Sequence, residues 1–266
     1  MLKIDRQNYI LNKLKTEGSV LITDLSAALD CHEETIRRDL KELEATVNLK
    51  RIYGGAYLDD PQDSGVPSVL KSTFFKEEKK AMSMAALKYL APGDTIMIDS
   101  STTCLQLMEC ILDANIPLTV ITNSLAISSL CASSSNTIIT LVCLGGQLRK
   151  KSSSFVGYHT TDVLKTNYAK ISFFSNPAID IAHGLTDRNL NESQVRKSML
   201  KNSRKHIFLM DHTKFSKISD NIFGSLKDID ILITDQQLSE EWETELHKLG
   251  VCVEYINNES MPGADI

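Results

Sequence analysis

Residues 33–56 read EETIRRDLKELEATVNLKRIYGGA, and this stretch decides the fold of the N-terminal part of the chain. Its first half predicts a helix, because Ile36, Leu40 and Leu43 recur at the spacing that places side chains on one face. The opposite face is basic, with Arg37, Arg38 and Lys41. The second half alternates apolar and basic residues before a Gly-Gly turn, as a small β-hairpin does. The stretch therefore predicts a helix with a basic outer face, followed by a hairpin.

Two further helices are predicted before this one. Apolar residues recur at helical spacing over residues 4–16, and Gly18 follows where a helix end favours a left-handed residue. A second helix is predicted over residues 23–29 with Thr23 as its N-cap, and a tight turn then leads into the basic helix. Three helices followed by a hairpin are typical of a winged helix-turn-helix domain, which we predict over residues 1–57.

The composition is that of an ordinary globular protein long enough for two domains. Of the 266 residues, 42% are hydrophobic and 24% are charged, close to globular averages. No apolar run approaches the roughly 18 residues of a membrane span, and the N-terminus carries charges where a signal peptide needs an apolar run. A cytoplasmic location is therefore predicted. The six cysteines are scattered, which predicts reduced thiols and no metal site.

The net charge of −5 weighs against a nucleic-acid partner unless the charges are segregated. Residues 1–56 contain nine Lys and Arg and nine Asp and Glu, so the acidic excess lies in the rest of the chain. Within this balanced segment, basic residues crowd one short stretch. They are Arg37, Arg38, Lys41, Lys50 and Arg51. This stretch is the predicted phosphate-contacting surface.

A polar segment with two prolines follows the hairpin and predicts a linker, assigned to residues 58–73. Helical spacing returns over residues 74–90, where the charge run at 76–80 is predicted to be a solvated face. The strands predicted beyond it are 95–99, 118–122, 137–144, 169–174, 206–210 and 229–234, and the helices between them include 102–114, 124–133 and 192–203. This alternation predicts an α/β domain over residues 74–258, with a mainly parallel sheet and helices on both faces.

The ends of the first three predicted strands carry residue types that suit an anion. Asp99 is followed by four hydroxyl residues, Ser100, Ser101, Thr102 and Thr103, where a strand ends and a helix begins. The free N–H groups of a helix N-terminus and these hydroxyls would cradle a phosphate, although the same residues could simply cap the helix. Ligands of parallel sheets bind beyond the carboxyl ends of the strands. The second predicted strand ends at Thr122, Asn123 and Ser124, and Gly145 and Gly146 follow the third.

Two later loops complete the predicted effector site. Asn176, Asp180 and His183 share one loop, and Lys214 follows the fifth predicted strand. Lys214 would neutralise a phosphate, and either Asp180 or Asp211 would accept hydrogen bonds from sugar hydroxyls. The simpler interpretation of His183 is an exposed loop histidine, and the same holds for His212. The sequence predicts no cofactor, no catalytic residue and no metal ligand.

These motifs together resemble the DeoR family of bacterial repressors over nearly the whole chain. Residues 34–43 and Arg51–Ala56 are similar to that family's helix-turn-helix and wing. The sensor domain is matched by Asp99–Thr103, Ile121–Ser124, Leu144–Gly146, Phe155–Gly157, Gly184–Thr186 and Asp211–Phe215. The resemblance implies a sensor fold related to ribose-5-phosphate isomerase and glucosamine-6-phosphate deaminase, with sugar-phosphate binding kept and catalysis lost. It also implies a homo-oligomeric repressor of carbohydrate or nucleoside genes.

Two positions and one loop depart from the family pattern. The family usually has Ser where His32 stands, and Gly where Ser101 stands. The loop Phe174–Asp180 lacks the glycines that the family has there. These departures affect the N-cap of the basic helix and the shape of the sensor pocket.

The sequence thus predicts a DNA-binding regulator, a dimer or tetramer that binds a double-stranded operator and a small phosphorylated sugar. Its basic helix enters the major groove and its wing contacts phosphates. The predicted DNA-binding residues are His32, Glu34, Thr35, Arg37, Arg38, Lys41, Lys50, Arg51, Tyr53 and Gly54.

Two alternatives stay open beside this prediction. One is a sugar-phosphate isomerase or deaminase that uses Asp99, Asp180 or His183 as acid and base. The other is a DNA-binding scaffold whose C-terminal domain only forms oligomers. We predict no enzymatic activity, because a metabolic enzyme has no evident use for a winged helix.

Overall fold

The computed structural model describes residues 1–60 and 65–256. Residues 61–64 of the predicted linker and 257–258 of the predicted sensor domain lie outside the described residues. The described chain divides into two compact units, Met1–Phe74 and a second that begins at Phe75, and each contains its own hydrophobic core. Within the two described ranges, no helix has the length and apolar character that a membrane span requires.

The N-terminal unit is a winged helix-turn-helix, which confirms the predicted fold. Its elements in chain order are α1 (Lys3–Glu17), β1 (Ser19–Leu21), α2 (Ile22–Leu29), α3 (Glu33–Glu44), β2 (Leu49–Ile52) and β3 (Gly55–Leu58). β2 and β3 form the predicted hairpin, and β1 pairs antiparallel with the other edge of β3. Apolar side chains of all three helices form one cluster with those of the sheet, with Ile10, Leu25 and Ile36 fully buried.

Two local features of this unit differ from the sequence analysis. Residues 19–21 form a strand that was not predicted, because three residues are too few to show an alternating pattern. α2 begins at Ile22, and no side chain caps its N-terminus. Thr23 therefore lies inside the first turn of α2, and the prediction that it is the N-cap is wrong. Its hydroxyl donates to Asp24 Oδ1 at 3.4 Å instead.

The segment assigned to a linker contains a short helix, α4 (Ser68–Lys71). Its Leu70 is fully buried. A Cβ added at Gly55 would lie 2.4 Å from Leu70 Cδ2 and 2.2 Å from the carbonyl oxygen of Val20. Leu70 therefore packs on the wing where β3 runs beside β1, and only glycine fits at position 55. Residues 68–71 are thus packed and do not form an extended connection.

The second unit is built on a parallel sheet of seven strands, which confirms the predicted α/β class. The strands of the unit are β4 (Thr95–Ile98), β5 (Leu118–Thr122), β6 (Ile139–Cys143), β7 (Gln147–Arg149), β8 (Ser154–Val156), β9 (Ala169–Phe174), β10 (Ala178–Asp180), β11 (Gly184–Asp187), β12 (Ser203–Leu209), β13 (Asn221–Gly224), β14 (Ile231–Thr234) and β15 (Cys252–Tyr255). The main sheet has the order β15-β14-β12-β9-β4-β5-β6. All six predicted strands are present in it, whereas the edge strand β15, which is short and carries Glu254, was missed.

Helices cover both faces of this sheet, as predicted. They are α5 (Lys76–Ala86), α6 (Thr102–Ala114), α7 (Leu125–Ser133), α8 (Tyr158–Leu164), α9 (Leu190–Lys201) and α10 (Glu240–Lys248). Successive strand residues point to opposite faces, so Ile96 and Ile98 pack with α5, α6 and α7, while Met97 packs with α8, α9 and α10. The charge run on α5 is not wholly solvated, because Lys79 is buried.

The strand order places a topological switch between β4 and β9. From β4 the chain moves outward through β5 and β6, and then returns to place β9 on the other side of β4. The connections leaving β4 and β9 diverge there, which opens a crevice at the carboxyl ends of the strands, where ligands of open α/β sheets bind. Two small antiparallel sheets are added to the main sheet: β7-β8 follows β6, and β10-β11-β13 combines two strands that follow β9 with one that follows β12.

Replacing Gly55 by alanine is expected to lower the free energy of unfolding by about 3 kcal/mol, because the new methyl group overlaps backbone that has little room to move. Urea unfolding of the full chain, followed by circular dichroism, measures this change. Gly18→Ala is the control, since Gly18 has φ +78° but no atom within 4 Å of an added Cβ. Backbone strain there costs about 1 kcal/mol. Equal effects of the two substitutions would show that position 55 is not constrained by packing.

Candidate DNA-binding surface and effector site

The basic face of α3 is turned to solvent, while its apolar face is buried. The side chains of Arg37 and Arg38 are 50% and 78% exposed. Arg37 Nη2 lies 2.6 Å from Glu33 Oε2, and Arg38 Nε lies 3.6 Å from Glu34 Oε1. Exposed ion pairs of this spacing contribute little stability, so both guanidinium groups can exchange these partners for phosphates or base edges.

The other predicted residues of α3 are also accessible. Glu34 and Lys41 are exposed and Thr35 is half-buried. His32 stands at the N-cap with an extended backbone, but its side chain makes no capping bond. The first N–H groups of a helix have no partner within the helix. The departure from serine at position 32 therefore leaves this end of α3 without a side-chain cap.

The wing carries the remaining predicted DNA-binding residues. Lys50 Nζ lies 2.7 Å from Asp59 Oδ2, and Arg51 Nε lies 2.6 Å from Glu44 Oε2. Both basic side chains thus take part in ion pairs at the surface. Tyr53 is 86% exposed at the hairpin turn, which leaves its ring available for an external contact.

One cleft joins the wing to α3. A cavity of about 370 Å³ lies between the first turns of α2 and α3 and the hairpin turn. The predicted DNA-binding residues that line it are Arg37, Arg51, Tyr53 and Gly54. Gly54 has φ +82°, a conformation that glycine adopts without strain. The structure therefore brings residues of the basic helix and of the wing to one concave surface.

An ion pair that was not predicted from the sequence fixes α3 to α1. Asp39 is 2% exposed and accepts hydrogen bonds from the guanidinium of Arg6, with Arg6 Nη2 at 3.2 Å from Asp39 Oδ1. The hydrogen bond to Asp39 raises the pKa of Arg6. The helical period contains a signal for this pair, because it places Asp39 on the apolar face of α3, and a buried carboxylate requires a cation.

In the second unit, Asp99 bridges three elements at the topological switch. Its Oδ1 accepts from the Ser101 N–H at 2.9 Å, and its Oδ2 accepts from the Ser175 N–H at 3.2 Å and from Arg196 Nε at 3.0 Å. The carboxylate is buried. Asp99 thereby joins the end of β4 to the start of α6, to the end of β9 and to α9.

The four hydroxyl residues after Asp99 have different roles in the structure. Ser101 is the N-cap of α6 and accepts from the Cys104 N–H at 3.1 Å, so capping accounts for this side chain. Ser100 is buried, and its hydroxyl donates to a carboxylate oxygen of α9. Thr102 and Thr103 occupy the first turn of α6. The positive end of a helix of this length favours an anion.

Glu192 of α9 is the unpredicted centre of this cluster. Its Oε1 accepts from Ser152 Oγ at 2.7 Å and from Ser154 Oγ at 2.6 Å, and Arg149 Nη1 lies 3.6 Å away. Burial by itself raises the pKa of Glu192, but the charge of Arg196 and the hydrogen bonds from the serines lower it by more. The net pKa of Glu192 lies below its ordinary value, so the carboxylate is held in its charged form.

Arg196 supplies the charge that these buried carboxylates require. Its Nη1 donates to Asp187 and its Nε donates to Asp99. Burial by itself lowers the pKa of Arg196, but the charges of Asp187 and Asp99 raise it by more. The net pKa of Arg196 therefore lies above its ordinary value. Sequence reasoning missed Glu192 and Arg196, because a Glu–Arg pair at i,i+4 is the pattern of an exposed helix face.

The ends of β5 and β9 each contain a buried asparagine with an unsatisfied oxygen. Asn123 donates to the Phe155 carbonyl at 3.0 Å, and Asn176 donates to the carbonyls of Ala178 and Thr186. Within the described part of the chain, Oδ1 of neither asparagine has a hydrogen-bond partner. Both side chains therefore retain a buried acceptor at the carboxyl edge of the sheet.

The neighbouring residues of the predicted site have structural roles at the strand ends. Thr122 is buried and donates to the Ile98 carbonyl at 2.7 Å, and Ser124 is the N-cap of α7. Gly146 has φ +122°, and a Cβ there would lie 2.1 Å from Thr160 Oγ1, whereas Gly145 faces open space. Gly146 is thus required for the packing of α8.

Asp180 and His183 close the turn between β10 and β11. His183 Nδ1 lies 2.7 Å from Asp180 Oδ1, which also accepts the N–H groups of Ala182 and His183. His183 is exposed, in agreement with the simpler interpretation of this histidine. No residue of the loop 174–180 has a positive φ, so the missing glycines cause no backbone strain.

Lys214 follows β12 and is paired with a buried carboxylate. Its Nζ lies 3.5 Å from Asp211 Oδ2, and that oxygen accepts no hydrogen bond from the described residues. Among those residues, no group of three or more His, Cys, Asp or Glu side chains is placed to hold a metal ion.

Two family models match the chain. The DeoR-like helix-turn-helix domain matches residues 6–62, and the DeoR C terminal sensor domain matches residues 75–236, more than half of the chain. The chain belongs to the DeoR family. It is therefore a member of a family of helix-turn-helix transcriptional regulators, as the motifs predicted.

Curated relatives match this DeoR-family protein over nearly its whole length. The uncharacterized HTH-type transcriptional regulator YulB of Bacillus subtilis is 33% identical over 238 residues, which cover 90% of this chain and 91% of the relative. The HTH-type transcriptional regulator GolR of Listeria innocua is 30% identical over 260 residues, covering 95% and 98%. A putative aga operon transcriptional repressor of Escherichia coli O157:H7 is 29% identical over 251 residues, covering 94% and 92%.

Solved structures resemble this DeoR-family protein over about half of its length. Ribose 5 phosphate isomerase A from Neisseria gonorrhoeae superposes with a TM-score of 0.40 at 14% identity, covering 55% of this chain and 56% of the isomerase. The eIF2B delta structure from Chaetomium thermophilum gives a TM-score of 0.39 at 15% identity, covering 56% and 52%. Neither likeness assigns an activity to this chain.

Replacing Asp39 by alanine is expected to lower the free energy of unfolding by about 3 kcal/mol, because a buried ion pair loses one partner. The side chain of Arg6 is only 13% exposed and would lose its counter-charge. Urea unfolding of the full chain measures the loss. Glu42→Ala is the matched control: it removes an exposed pair with Lys3 from the same two helices and should leave the free energy of unfolding nearly unchanged. Equal stability of both variants would contradict the anchoring role of Asp39.

Glu192 should make stability depend on pH in the acid range. Because folding lowers its pKa, its contribution is fully present above the ordinary value of 4.5 and is lost as the pH falls through the folded pKa. The difference in unfolding free energy between wild type and Glu192→Gln should therefore shrink as the pH is lowered from about 5 to about 3. Chemical unfolding at each pH measures it, and a constant difference across this range would contradict the assignment.

Proposed function

We propose that this protein represses genes of carbohydrate or nucleoside metabolism by binding a double-stranded operator, and that a phosphorylated sugar controls this binding. The observation that carries the proposal is that one unit has an exposed basic helix and wing, while the other has buried oxygen atoms without hydrogen-bond donors at the edge of its sheet. The proposal involves no enzymatic step. DNA binding places the site of action in the cytoplasm.

The exposed residues of α3 support a direct reading of DNA. A helix that lies in the major groove presents the side chains near its N-terminus to base edges, and wing residues reach the backbone. We assign Glu34, Thr35, Arg37 and Arg38 to base edges, and His32, Lys41, Lys50, Arg51, Tyr53 and Gly54 to the backbone. The ion pairs that these basic side chains make at the surface are weak enough to be exchanged for phosphates.

Unsatisfied acceptors support a sugar at the sensor edge. Oδ1 of Asn123, Oδ1 of Asn176 and Oδ2 of Asp211 are buried without a hydrogen bond from the described residues. An unpaired buried acceptor costs about 1–3 kcal/mol, and sugar hydroxyls are donors that would satisfy it. The three residues follow β5, β9 and β12, so the parallel sheet places them at one edge. A polyhydroxylated ligand fits this pattern of acceptors.

The phosphate of such a ligand would lie at the start of α6. The N-terminus of this helix, its hydroxyl residues and the ammonium group of Lys214 are the groups that favour an anion there. The proposed effector residues are Asp99, Ser100, Ser101, Thr102, Thr103, Thr122, Asn123, Ser124, Gly145, Gly146, Asn176, Asp180, His183 and Lys214. Within this set, Asp99 acts by positioning β4, α6 and β9, because both its oxygens are engaged inside the protein.

The names of several relatives link them to sugars. They include the putative aga operon transcriptional repressor of Escherichia coli O157:H7, the lactose phosphotransferase system repressor of Staphylococcus epidermidis and the L-fucose operon activator of Escherichia coli K12. Two of the three are named repressors, which supports repression as the proposed mode.

An effector can control DNA binding only if it binds the competent and incompetent arrangements with different affinity. The coupling is reciprocal, so operator DNA must change the affinity for the effector by the same factor. We expect a dimer or tetramer, whose two-fold symmetry would be matched by paired half-sites in the operator.

Arg38→Ala is expected to weaken operator binding by about 10- to 100-fold, since a bidentate arginine contact to a base contributes about 1–3 kcal/mol. Lys41→Ala should weaken binding to operator and to unrelated duplex alike, and should reduce the salt dependence by about one phosphate contact. Fluorescence anisotropy with labelled duplexes measures both. Lys165→Ala, an exposed change at the C-terminal end of α8, is the control. Wild-type affinity of both Arg37→Ala and Arg38→Ala would refute this placement of α3.

Asn176→Ala is expected to abolish the thermal stabilisation by a sugar phosphate while operator affinity stays unchanged. A ligand that binds only the folded state raises the melting temperature, so a panel of sugar phosphates identifies the effector on the wild type first. Asn167→Ala is the matched control, because Asn167 lies before β9 and Asn176 lies after it. If the ligand stabilises Asn176→Ala as much as wild type, the predicted site is wrong.

A further inference from the structure

Phe75, the first residue of the second unit, has a backbone conformation that bulky residues disfavour. It is the N-cap of α5, with φ +51° and ψ +45°, in the left-handed region. Five described residues other than glycine have a positive φ, and Phe75 is the only aromatic one among them. Such a conformation persists only where the surrounding structure fixes it, and it occurs mostly at binding sites and switch regions. The contacts of Phe75 therefore indicate what this strain serves.

The ring of Phe75 is held by His212, in the loop after β12. The two rings pack edge-on, with their centroids 5.2 Å apart. His212 is itself fixed, because its N–H donates to Asp235 Oδ1 at 2.7 Å and its Nδ1 lies 2.6 Å from Asp235 Oδ2. Asp235 is buried directly after β14. The loop after β12 thus provides a fixed support for the ring of Phe75.

The same loop contains two groups of the proposed effector site. Asp211 precedes His212, and its buried Oδ2 accepts no hydrogen bond from the described residues. Lys214 belongs to the same short helical turn as His212, and its Nζ lies 3.5 Å from Asp211 Oδ2. A ligand that binds Asp211 or Lys214 therefore acts on the backbone that carries His212. Through the ring contact, it acts on Phe75 as well.

The residues just before Phe75 are packed against the wing. Leu70 of α4 is fully buried beside Gly55. The Thr73 hydroxyl donates to the Leu70 carbonyl at 2.8 Å, and a Cβ added at Gly54 would lie 3.3 Å from Thr73 Oγ1. Thr73 also lines the cleft between the wing and α3. These residues therefore support the part of the wing that we assign to DNA.

Only one residue separates the two sets of contacts. Thr73 is packed on the wing, Phe74 follows, and the ring of Phe75 is held by the loop after β12. Rotation about the N–Cα bond of a residue turns all of the chain before it relative to all of the chain after it. A change of φ at Phe75 must therefore displace the residues that support the wing.

We propose that Phe75 is a strained hinge through which the effector site acts on the wing. Effector binding to the loop after β12 changes how firmly His212 holds the ring, and so changes the population of the left-handed conformation. When the ring is released, Phe75 relaxes to a right-handed conformation and turns the segment that contains Leu70 and Thr73. This inference rests on the proposed function, which places the effector at this loop. Residues 63–74, which the hinge moves, lie outside both family models.

Hydrogen–deuterium exchange of the full chain, followed by mass spectrometry, tests the hinge without effector or DNA. Phe75→Ala removes the ring. His212→Asn removes its support, but the asparagine amide can still donate to Asp235. The N–H groups of residues 72–74 are hydrogen-bonded within their own segment. In both variants they should exchange about fivefold or more faster than in wild type, because release of a left-handed residue shifts a local equilibrium by at least that factor.

The Ile22 N–H reports on the wing in the same experiment, because it donates to the Gly54 carbonyl at 2.9 Å. Its exchange should also be faster in Phe75→Ala and His212→Asn. His159→Ala is the matched control, since this exposed histidine of α8 packs edge-on against Tyr158 with ring centroids 5.9 Å apart. The control should exchange as wild type at residues 72–74 and at Ile22.

Wild-type exchange rates in both Phe75→Ala and His212→Asn overturn the inference. The coupling is reciprocal, so a change at the wing end gives a second test if these variants fold poorly. Thr73→Ala removes the hydroxyl beside Gly54 and should speed the exchange of residues 212–214 by about twofold or more, the effect of one lost hydrogen bond. Unchanged exchange there also overturns the inference.

Operator binding separates this inference from the proposed function. Fluorescence anisotropy, with a duplex from the region upstream of the coding sequence, gives the factor by which each sugar phosphate of a panel changes the affinity. We expect a factor of about ten in wild type. In Phe75→Ala the factor should fall close to one, although the same sugar phosphate still raises the melting temperature of the variant.

The remaining outcomes are distinct. If a sugar phosphate changes the operator affinity of wild type and of Phe75→Ala by the same factor, the hinge is refuted and the proposed function stands. If no sugar phosphate changes the operator affinity of wild type, the proposed control by a sugar phosphate is refuted. The exchange rates then decide by themselves whether Phe75 links the loop after β12 to the wing.

Discussion

The carboxylate of Asp99 is the interaction on which the geometry of the sensor unit depends. At the topological switch it accepts from the Ser101 N–H, the Ser175 N–H and Arg196, so the ends of β4 and β9 and the helix α9 have one fixed arrangement. The crevice exists because the chain diverges at this point, and Asp99 fixes how its two sides meet. A buried carboxylate keeps its place only while its counter-charge is present, so Arg196 and its second partner Asp187 belong to the same constraint.

A buried ion pair also fixes the geometry of the N-terminal unit. The buried pair of Asp39 with Arg6 fixes the inner face of α3 to α1, while the ion pairs on its outer face are exposed and exchangeable. Buried charges thus hold the functional element, and surface charges remain available to a partner. In both units, the residues that fix the geometry differ from those that we propose make contact with DNA or effector.

Elements with a strong apolar period could be predicted from the sequence. Buried charged residues could not, because the same charge pattern also occurs on exposed helix faces. The apolar face of α3 and the six β-rich runs of the sheet follow from spacing alone, whereas β1 and β15 are too short for a period to appear. Glu192, Arg196 and Lys79 lie in charge patterns that are typical of an exposed helix, and only the packing of α5 and α9 on the sheet buries them. The strand-end motifs could be recognised in the sequence because small and hydroxyl residues cluster there. The hydrogen bonds that these residues make could not be predicted, because they join loops that are distant in sequence.

We propose that one unit binds a specific DNA site and that a phosphorylated sugar bound to the other unit alters this binding. The most direct measurement is the affinity of the full chain for the DNA upstream of its own coding sequence, across a salt series, with and without a panel of sugar phosphates. We expect binding to a discrete site that weakens steeply with salt and changes with a particular sugar phosphate. The absence of specific binding under every condition would contradict it.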